Sequence, residues 1–316
     1  MKKISIVVPC YNEEKNIVPM SEAIVGLFES ELNGYEYEII FIDNDSKDNS
    51  QNLIRKVCIK NRNIKAIFNA KNFGQFNSPY YGMLNSTGDC TVHLCCDFQD
   101  PVELIPDMVR AWENGNKIVV MQKSHSEERK IMYFLRTCYY KLIRRFSDVE
   151  QIEHFTGFGL YDRSFIDVLR RLNDPIPFLR GIVAELGYDI KIITYTQKRR
   201  RAGVSSNNFA TLYDAAMLSI TSYTKVGLRM ATFMGFGVAF VSIIIALVYL
   251  VLKVLYWDQF VAGTAPIVVG MFFLGAVIMI FLGLIGEYLI SINHRLMNRP
   301  LVIEKERINF TIDSEG

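Results

Sequence analysis

Three clusters of carboxylates and amides follow short apolar runs in this chain. Cys10-Tyr11-Asn12-Glu13-Glu14 follows the run ending at Pro9, Asp43-Asn44-Asp45 follows Glu38 to Ile42, and Asp97-Phe98-Gln99-Asp100-Pro101 follows Cys90 to Cys96. A hard divalent cation takes oxygen ligands, and one or two carboxylates complete its shell where phosphate oxygens supply the rest. Clusters of this kind suit a nucleotide diphosphate bound with a divalent metal, Mg2+ or Mn2+. Taken singly, each acidic turn reads as an ordinary solvated loop; several at successive strand ends are harder to read that way.

The elements that would position them alternate. Ile4 to Pro9 is a β-branched apolar run ended by proline, Glu38 to Ile42 and Ile64 to Phe68 are similar, and Cys90 to Cys96 is a fourth strand. Helical spacing occupies Asn16 to Leu32, Ser50 to Lys60 and Phe76 to Asn85 between them. Strand and helix in alternation predict an α/β fold, a mostly parallel sheet with helices on both faces that binds ligands beyond the carboxyl ends of its strands. No Gly-x-Gly-x-x-Gly follows the first strand, so the dinucleotide fingerprint is missing.

The last third is different. Met230 to Leu252 carries no charged side chain, and neither does Ala265 to Ile285, beyond which the apolar pattern continues past Glu287 to Ile292. Each is long enough to cross roughly 30 Å of hydrocarbon. The predicted arrangement is a C-terminal hairpin of two transmembrane helices, with Lys253, Trp257 and Asp258 in the connection. Lys225 and Arg229 before the first span, and His294, Arg295 and Arg299 after the second, place both ends in the cytoplasm. Glu287 lies near that cytoplasmic end, either in a functional role or as an interfacial anchor. Asn208 to Leu228 reads as an amphipathic helix on the membrane or as a surface helix of the domain. The expected organisation is thus a cytosolic domain over 1–206, a juxtamembrane helix over 207–228, two spans over 229–292 and a cytoplasmic tail over 293–316.

Composition sets outer limits. A net charge of +2 with no long basic tail argues against a nucleic-acid partner. The six cysteines match no zinc spacing, and the adjacent Cys95-Cys96 pair makes a poor disulfide framework, so reduced thiols in a cytosolic domain are expected. Lys2-Lys3 is followed by too short an apolar run for a secretory signal.

The opening IVVPCYNEE, the turn IDNDSKDNS, Asn72-Phe73-Gly74-Gln75 and DFQDPVELIP together resemble the family 2 glycosyltransferases of GT-A fold. The two apolar spans, ending GLIGEYL and followed by NRPLVI, are similar to those of the branch that loads sugars onto polyprenyl phosphates. The resemblance covers nearly the whole chain. It implies an integral protein of the cytoplasmic membrane, a nucleotide-diphosphate-sugar donor, a polyprenyl phosphate acceptor and a divalent metal; a homo-oligomer is compatible with it. By the same resemblance, Pro9, Tyr11, Asn12, Glu13, Asp43, Asp45, Asn72, Gln75 and Asp97 bind the nucleotide sugar, with Asp43 near the base. Asp97 matches the second acid of an Asp-x-Asp metal motif and Gln99 its polar neighbour, which gives both metal and catalytic roles. Arg200 matches the arginine of an Arg-x-x-Gly-x-Ser loop that meets phosphate, flanked by Arg199 and Arg201 and followed by Ser205. A guanidinium fork suits phosphate oxygens; the same triplet suits anionic lipid beside a membrane.

Two departures stand out. Cys95 replaces the first acid of the metal motif, so coordination would rest on Asp97, with Gln99, Asp100 or the donor's own phosphates. In FTGFGLYDR the acid that the resemblance makes a base aligns with Gly157, and an arginine with Gly159. A hydroxyl acceptor needs a base near neutrality. A phosphate monoester, with its second pKa near ~6, is already largely a dianionic nucleophile. The loss of the carboxylate therefore favours a lipid phosphate over a hydroxyl. Glu150, Glu153 and His154, just upstream, are the alternatives for a base.

Overall fold

Residues 1–125, 152–198, 217–218, 221, 226–256 and 264–310 are described in the structure, a computed structural model. Among the described residues eight strands form one sheet: β1 (Lys3–Cys10), β2 (Glu36–Asp43), β3 (Ile64–Asn69), β4 (Cys90–His93), β5 (Ile118–His125), β6 (Phe155–Asp162), β7 (Ile190–Thr196) and β8 (Glu304–Ile308). Their spatial order is β7-β5-β6-β4-β1-β2-β3-β8. Only β6 and β8 run against the others, so the sheet is mostly parallel, as the alternation predicts.

The central strands are apolar on both faces because both faces are covered. Ile6 and Val8 of β1 pack in one layer with Ile17, Met20 and Ile24 of α1 (Ile17–Ser30), Ile54 of α2 (Ser50–Lys60) and Met108 of α4 (Ile105–Glu113). Val7, pointing the other way, packs with Met83 of α3 (Gly74–Leu84), Phe165 of α5 (Arg163–Leu172) and Ile182 of α6 (Leu179–Glu185). Helix α5 is capped by Asp162, whose carboxylate accepts the Ser164 N–H at 3.0 Å and the Trp112 Nε1–H at 2.8 Å.

Strand β4 is shorter than its apolar run implies. The Leu94 N–H still donates to the Val7 carbonyl at 3.2 Å, but the next amide, Cys95 N–H, goes to Asp100 Oδ2 at 3.1 Å. That carboxylate competes with the ladder and bends the chain into the Asp97 turn.

Two long helices follow, α7 (Val226–Leu255) and α8 (Thr264–Leu296), and the two charge-free stretches lie inside them. Phe273–Asn293 of α8 is long and apolar enough to cross a membrane; in α7 the apolar stretch among described residues is shorter, Phe233–Ile245. Of 207–228, only Met217, Leu218, Thr221 and the start of α7 fall among the described residues, and Leu218 packs on the layer that holds α3, α5 and α6. The segment read as a tail does not simply trail away. Its residues Glu304–Ile308 form β8, antiparallel to β3, and Arg295 at the end of α8 pairs with Asp174 at 3.0 Å. The exposed edge of β3 supplies the hydrogen bonds that make this charged segment a strand.

Candidate active site

The loops after β1 and β2 are stitched together at the carboxyl edge. Asn12 N–H donates to Ser46 Oγ at 2.8 Å, Lys47 N–H donates to Asn12 Oδ1 at 2.8 Å, and Glu13 N–H donates to Ser50 Oγ at 2.9 Å. Asn12 (φ 56°) and Asp45 (φ 62°) adopt left-handed backbone, which short polar side chains tolerate. Phe98 (φ 60°), between Asp97 and Gln99, has no such excuse, and its loop stores backbone strain.

Asn44 ties the next two strand ends together. Its Nδ2 donates to Asn72 Oδ1 at 2.9 Å and to the Gly74 carbonyl at 3.2 Å, while its Oδ1 accepts from Asn69 Nδ2 at 3.0 Å and from Phe73 N–H at 2.8 Å. The Asn72-to-Gln75 loop thereby stands beside Asp43, with Gln75 exposed on the first turn of α3. Sequence reasoning named Asn72 and Gln75 but not Asn44 or Asn69 as their holders. Asp43 itself is fully buried. Its Oδ2 accepts from Ser46 N–H at 3.1 Å and Gln51 Nε2 at 2.9 Å, whereas Oδ1 has no partner among the described residues. Burial pushes this carboxyl up, which the Ser46 and Gln51 hydrogen bonds only partly offset. Buried acceptors in folded chains are rarely left without a donor.

At the end of β4, Asp97 is 4% exposed and its Oδ1 accepts the Gln99 N–H at 3.1 Å. Asp100 is spoken for: Oδ2 holds Cys95 N–H, and Oδ1 accepts the Tyr195 hydroxyl at 3.0 Å. Burial, then the neighbouring Asp100 and Asp97, push the Cys95 thiol well up, and sulfur is a poor ligand for a hard cation. Among the described residues no three His, Cys, Asp or Glu side chains converge as a metal site. The donor set fits a cation that arrives with the phosphates and takes one carboxylate, Asp97, from the protein.

Across β4 lies the position of the missing acid. Gly157 has φ +106°, and a Cβ there would stand 3.5 Å from both Cε1 and Nδ1 of His93. The Gly157 carbonyl accepts from His93 Nδ1 at 3.0 Å and from the Tyr161 hydroxyl at 2.8 Å. At Gly159 a Cβ would come within 2.5 Å of the Val119 carbonyl, so the arginine that the resemblance places there has no room. His93 is a residue that sequence reasoning missed; the one signal was a histidine inside an apolar strand just ahead of the acidic turn. Arg199, Arg200, Arg201, Ser205 and Glu150 lie outside the described residues.

The carboxyl edge of a mostly parallel sheet thus carries acid- and amide-lined loops, and the comparisons make the chain a glycosyltransferase. Residues 5–169 match the family model Glycosyl transferase family 2, and the chain belongs to that family. It is 30% identical over 305 residues to the SfII prophage-derived bactoprenol glucosyl transferase of Shigella flexneri, covering 96% of this chain and 98% of that one. It is 31% identical over 304 residues to the prophage bactoprenol glucosyl transferase homolog of Escherichia coli, again covering 96% and 98%. Among solved structures it is similar to glucosyl-3-phosphoglycerate synthase from Mycobacterium tuberculosis in complex with Mn2+, UDP and phosphoglyceric acid, at 16% identity and TM-score 0.46, covering 70% of this chain and 76% of that one.

Proposed function

We propose that this glycosyltransferase moves a hexose or N-acetylhexosamine from a UDP-sugar onto undecaprenyl phosphate at the cytoplasmic face of the membrane, with inversion at the anomeric carbon. The observation that carries the proposal is the end-to-end similarity to bactoprenol glucosyl transferases, which extends through both apolar helices. Gly157 adds to it: where a hydroxyl acceptor would need a carboxylate, this chain has no side chain, and a phosphate acceptor needs none.

In this reading a phosphate oxygen of the lipid attacks C1, the bond from C1 to the diphosphate oxygen breaks, and UDP departs. Asp43 and the loop held by Asn44 receive the nucleoside, alongside Pro9, Tyr11, Asn12, Glu13 and Asp45. Asp97, with Gln99, would hold Mg2+ or Mn2+, which supplies positive charge for the leaving diphosphate. Arg200 and its neighbours Arg199, Arg201 and Ser205 serve the phosphates or the anionic lipid surface. Helices α7 and α8 form a hairpin through the bilayer. Supporting this, the chain re-enters the sheet as β8 after α8, so apolar helices that leave the domain must also return to it. The basic residues at both ends then lie on the domain's side.

The test is turnover by purified full-length protein in detergent, given labelled UDP-sugars, undecaprenyl phosphate and Mg2+ or Mn2+. A lipid-linked sugar is expected, with Asp97→Ala losing on the order of 100-fold or more. No product across a full donor panel overturns the proposal, and tight UDP binding without turnover would make the chain an inactive nucleotide-sugar binder.

A further inference from the structure

The Gly157 carbonyl can only accept hydrogen bonds, so His93 Nδ1 carries the ring proton and Nε2 presents a bare lone pair. Nε2 is buried and has no partner among the described residues, in a residue that is only 6% exposed. Natural structures rarely leave a buried acceptor empty without a use for it. The ring is also held: the Tyr161 hydroxyl fixes the same carbonyl, and the left-handed backbone at Gly157 presents it.

Register shows which way the ring leans. His93 stands opposite Gly159, yet its hydrogen bond goes to Gly157, two residues nearer the carboxyl edge where β6 begins. Asp97 turns over that edge four residues further along the chain. The orphan nitrogen therefore belongs to the ligand-binding end of the sheet.

What can satisfy it is limited by chemistry. A neutral lone pair needs an O–H or N–H. The diphosphate has no proton to give near neutrality, and neither has a dianionic lipid phosphate. A cation that arrives with the diphosphate goes to Asp97, at the turn four residues further along the chain. The N–H of a nucleobase is matched to Asp43 at the end of β2, and β1 stands between β2 and β4. Neutral hydroxyls remain, and with the ribose held beside its base at the β2 end they are those of the donor hexose.

We propose that His93 is a specificity-determining residue that reads one hydroxyl of the donor hexose, accepting its hydrogen bond at Nε2. This rests on the transferase reading above. Burial pushes the imidazole's pKa down, against the Gly157 carbonyl and the charge of Asp100, so the ring stays a neutral acceptor.

The experiment measures kcat/KM for the fastest of UDP-glucose, UDP-galactose and UDP-N-acetylglucosamine, and for its deoxy analogues, with undecaprenyl phosphate as acceptor. One deoxy donor is expected to lose roughly 10–100-fold on the native protein, because a buried acceptor is then left empty. His93→Asn keeps an N–H for the Gly157 carbonyl but removes Nε2. It should lose a similar factor on the parent donor and almost nothing more on that one analogue. Loss by a single common factor on all donors means a merely structural histidine and overturns the proposal, as does native protein that accepts every deoxy analogue alike. A second measurement needs no variant: the 15N resonance of His93 Nε2 should shift with the parent UDP-sugar and not with the discriminated analogue, and equal shifts overturn the assignment. Absence of any lipid-linked product from the native protein sinks the transferase reading and takes this proposal with it; product with uniform losses sinks this proposal alone.

Discussion

The Tyr195 hydroxyl donates to Asp100 Oδ1 at 3.0 Å, a bond between residues 95 apart in sequence. It fastens the end of β7 to the turn that carries Asp97. Tyr195 also packs edge-to-face on Phe158, with ring centroids 5.5 Å apart. Burial, with Asp100 beside it, pushes the Tyr195 hydroxyl far up, so it remains a donor. Arg199 follows four residues after Tyr195. The bond thus holds the end of β7 beside the turn proposed to meet the diphosphate.

Tyr195→Phe leaves Asp100 Oδ1 without its donor in a buried setting. The expected cost is about 1–3 kcal/mol of stability, with weaker UDP binding because Asp100 also holds the Cys95 amide. Denaturant midpoints and calorimetric titration of UDP check both; an unchanged affinity would show that the tether does not shape the site.

Asp43 gives a prediction in which stability and binding move oppositely. Its carboxyl is raised by burial, so the stability associated with it is fully present below the ordinary carboxylate range, about 3.9, and is lost as pH rises through the folded-state value. Asp43→Asn should therefore melt higher than the native protein at pH 7, with the gain fading as the pH falls toward 4. UDP affinity should drop at the same time. Thermal melts across pH, paired with titrations, test the sign; a variant less stable at pH 7 would contradict it.

How much of this was legible beforehand follows from where the information lies. Ile4 to Pro9 and Glu38 to Ile42 announce β1 and β2 because strands buried on both faces must be continuously apolar. The acidic turns announce themselves because they interrupt those runs. Strand β8 does not, since Glu304, Lys305, Glu306 and Arg307 carry no apolar pattern; only the open edge of β3 makes them a strand. The role of Asn44 needs four partners spread over residues 69–74, and that of His93 needs Gly157, 64 residues away. Pairings of that kind are set by packing, which a one-dimensional pattern does not carry.

Removing β8 tests that edge directly. A chain ending at Ile303 loses the strand, the Arg55–Glu306 ion pair at 2.6 Å, and the Asn309 Nδ2 bonds to the Cys58 and Ile64 carbonyls at 2.8 and 2.7 Å. It should aggregate more readily in detergent, because β3 then presents an unpaired row of backbone donors and acceptors. Size-exclusion profiles of the truncated and full chains decide it.

Glu38 lies at the opposite edge of the sheet from the site, which makes it a clean probe of stability alone. Its buried carboxylate accepts Thr87 N–H at 2.6 Å and pairs with Lys65 at 2.6 Å and Lys3 at 3.1 Å. Burial by itself would raise its pKa, but Lys65, Ser5 and Thr87 outweigh that and bring it from 4.5 to about 2. A depressed carboxyl contributes stability that is present above its ordinary value and lost as pH falls through the folded-state one. The contribution at neutral pH is on the order of 3 kcal/mol. Glu38→Gln should therefore cost stability of that order at pH 7 and flatten the acid limb between pH 4.5 and about 2. Its KM for the nucleotide sugar should not move, because none of the loops that carry Asp43, Asn44 or Asp97 touches this cluster. An altered KM would mean that strain at one edge of the sheet reaches the other.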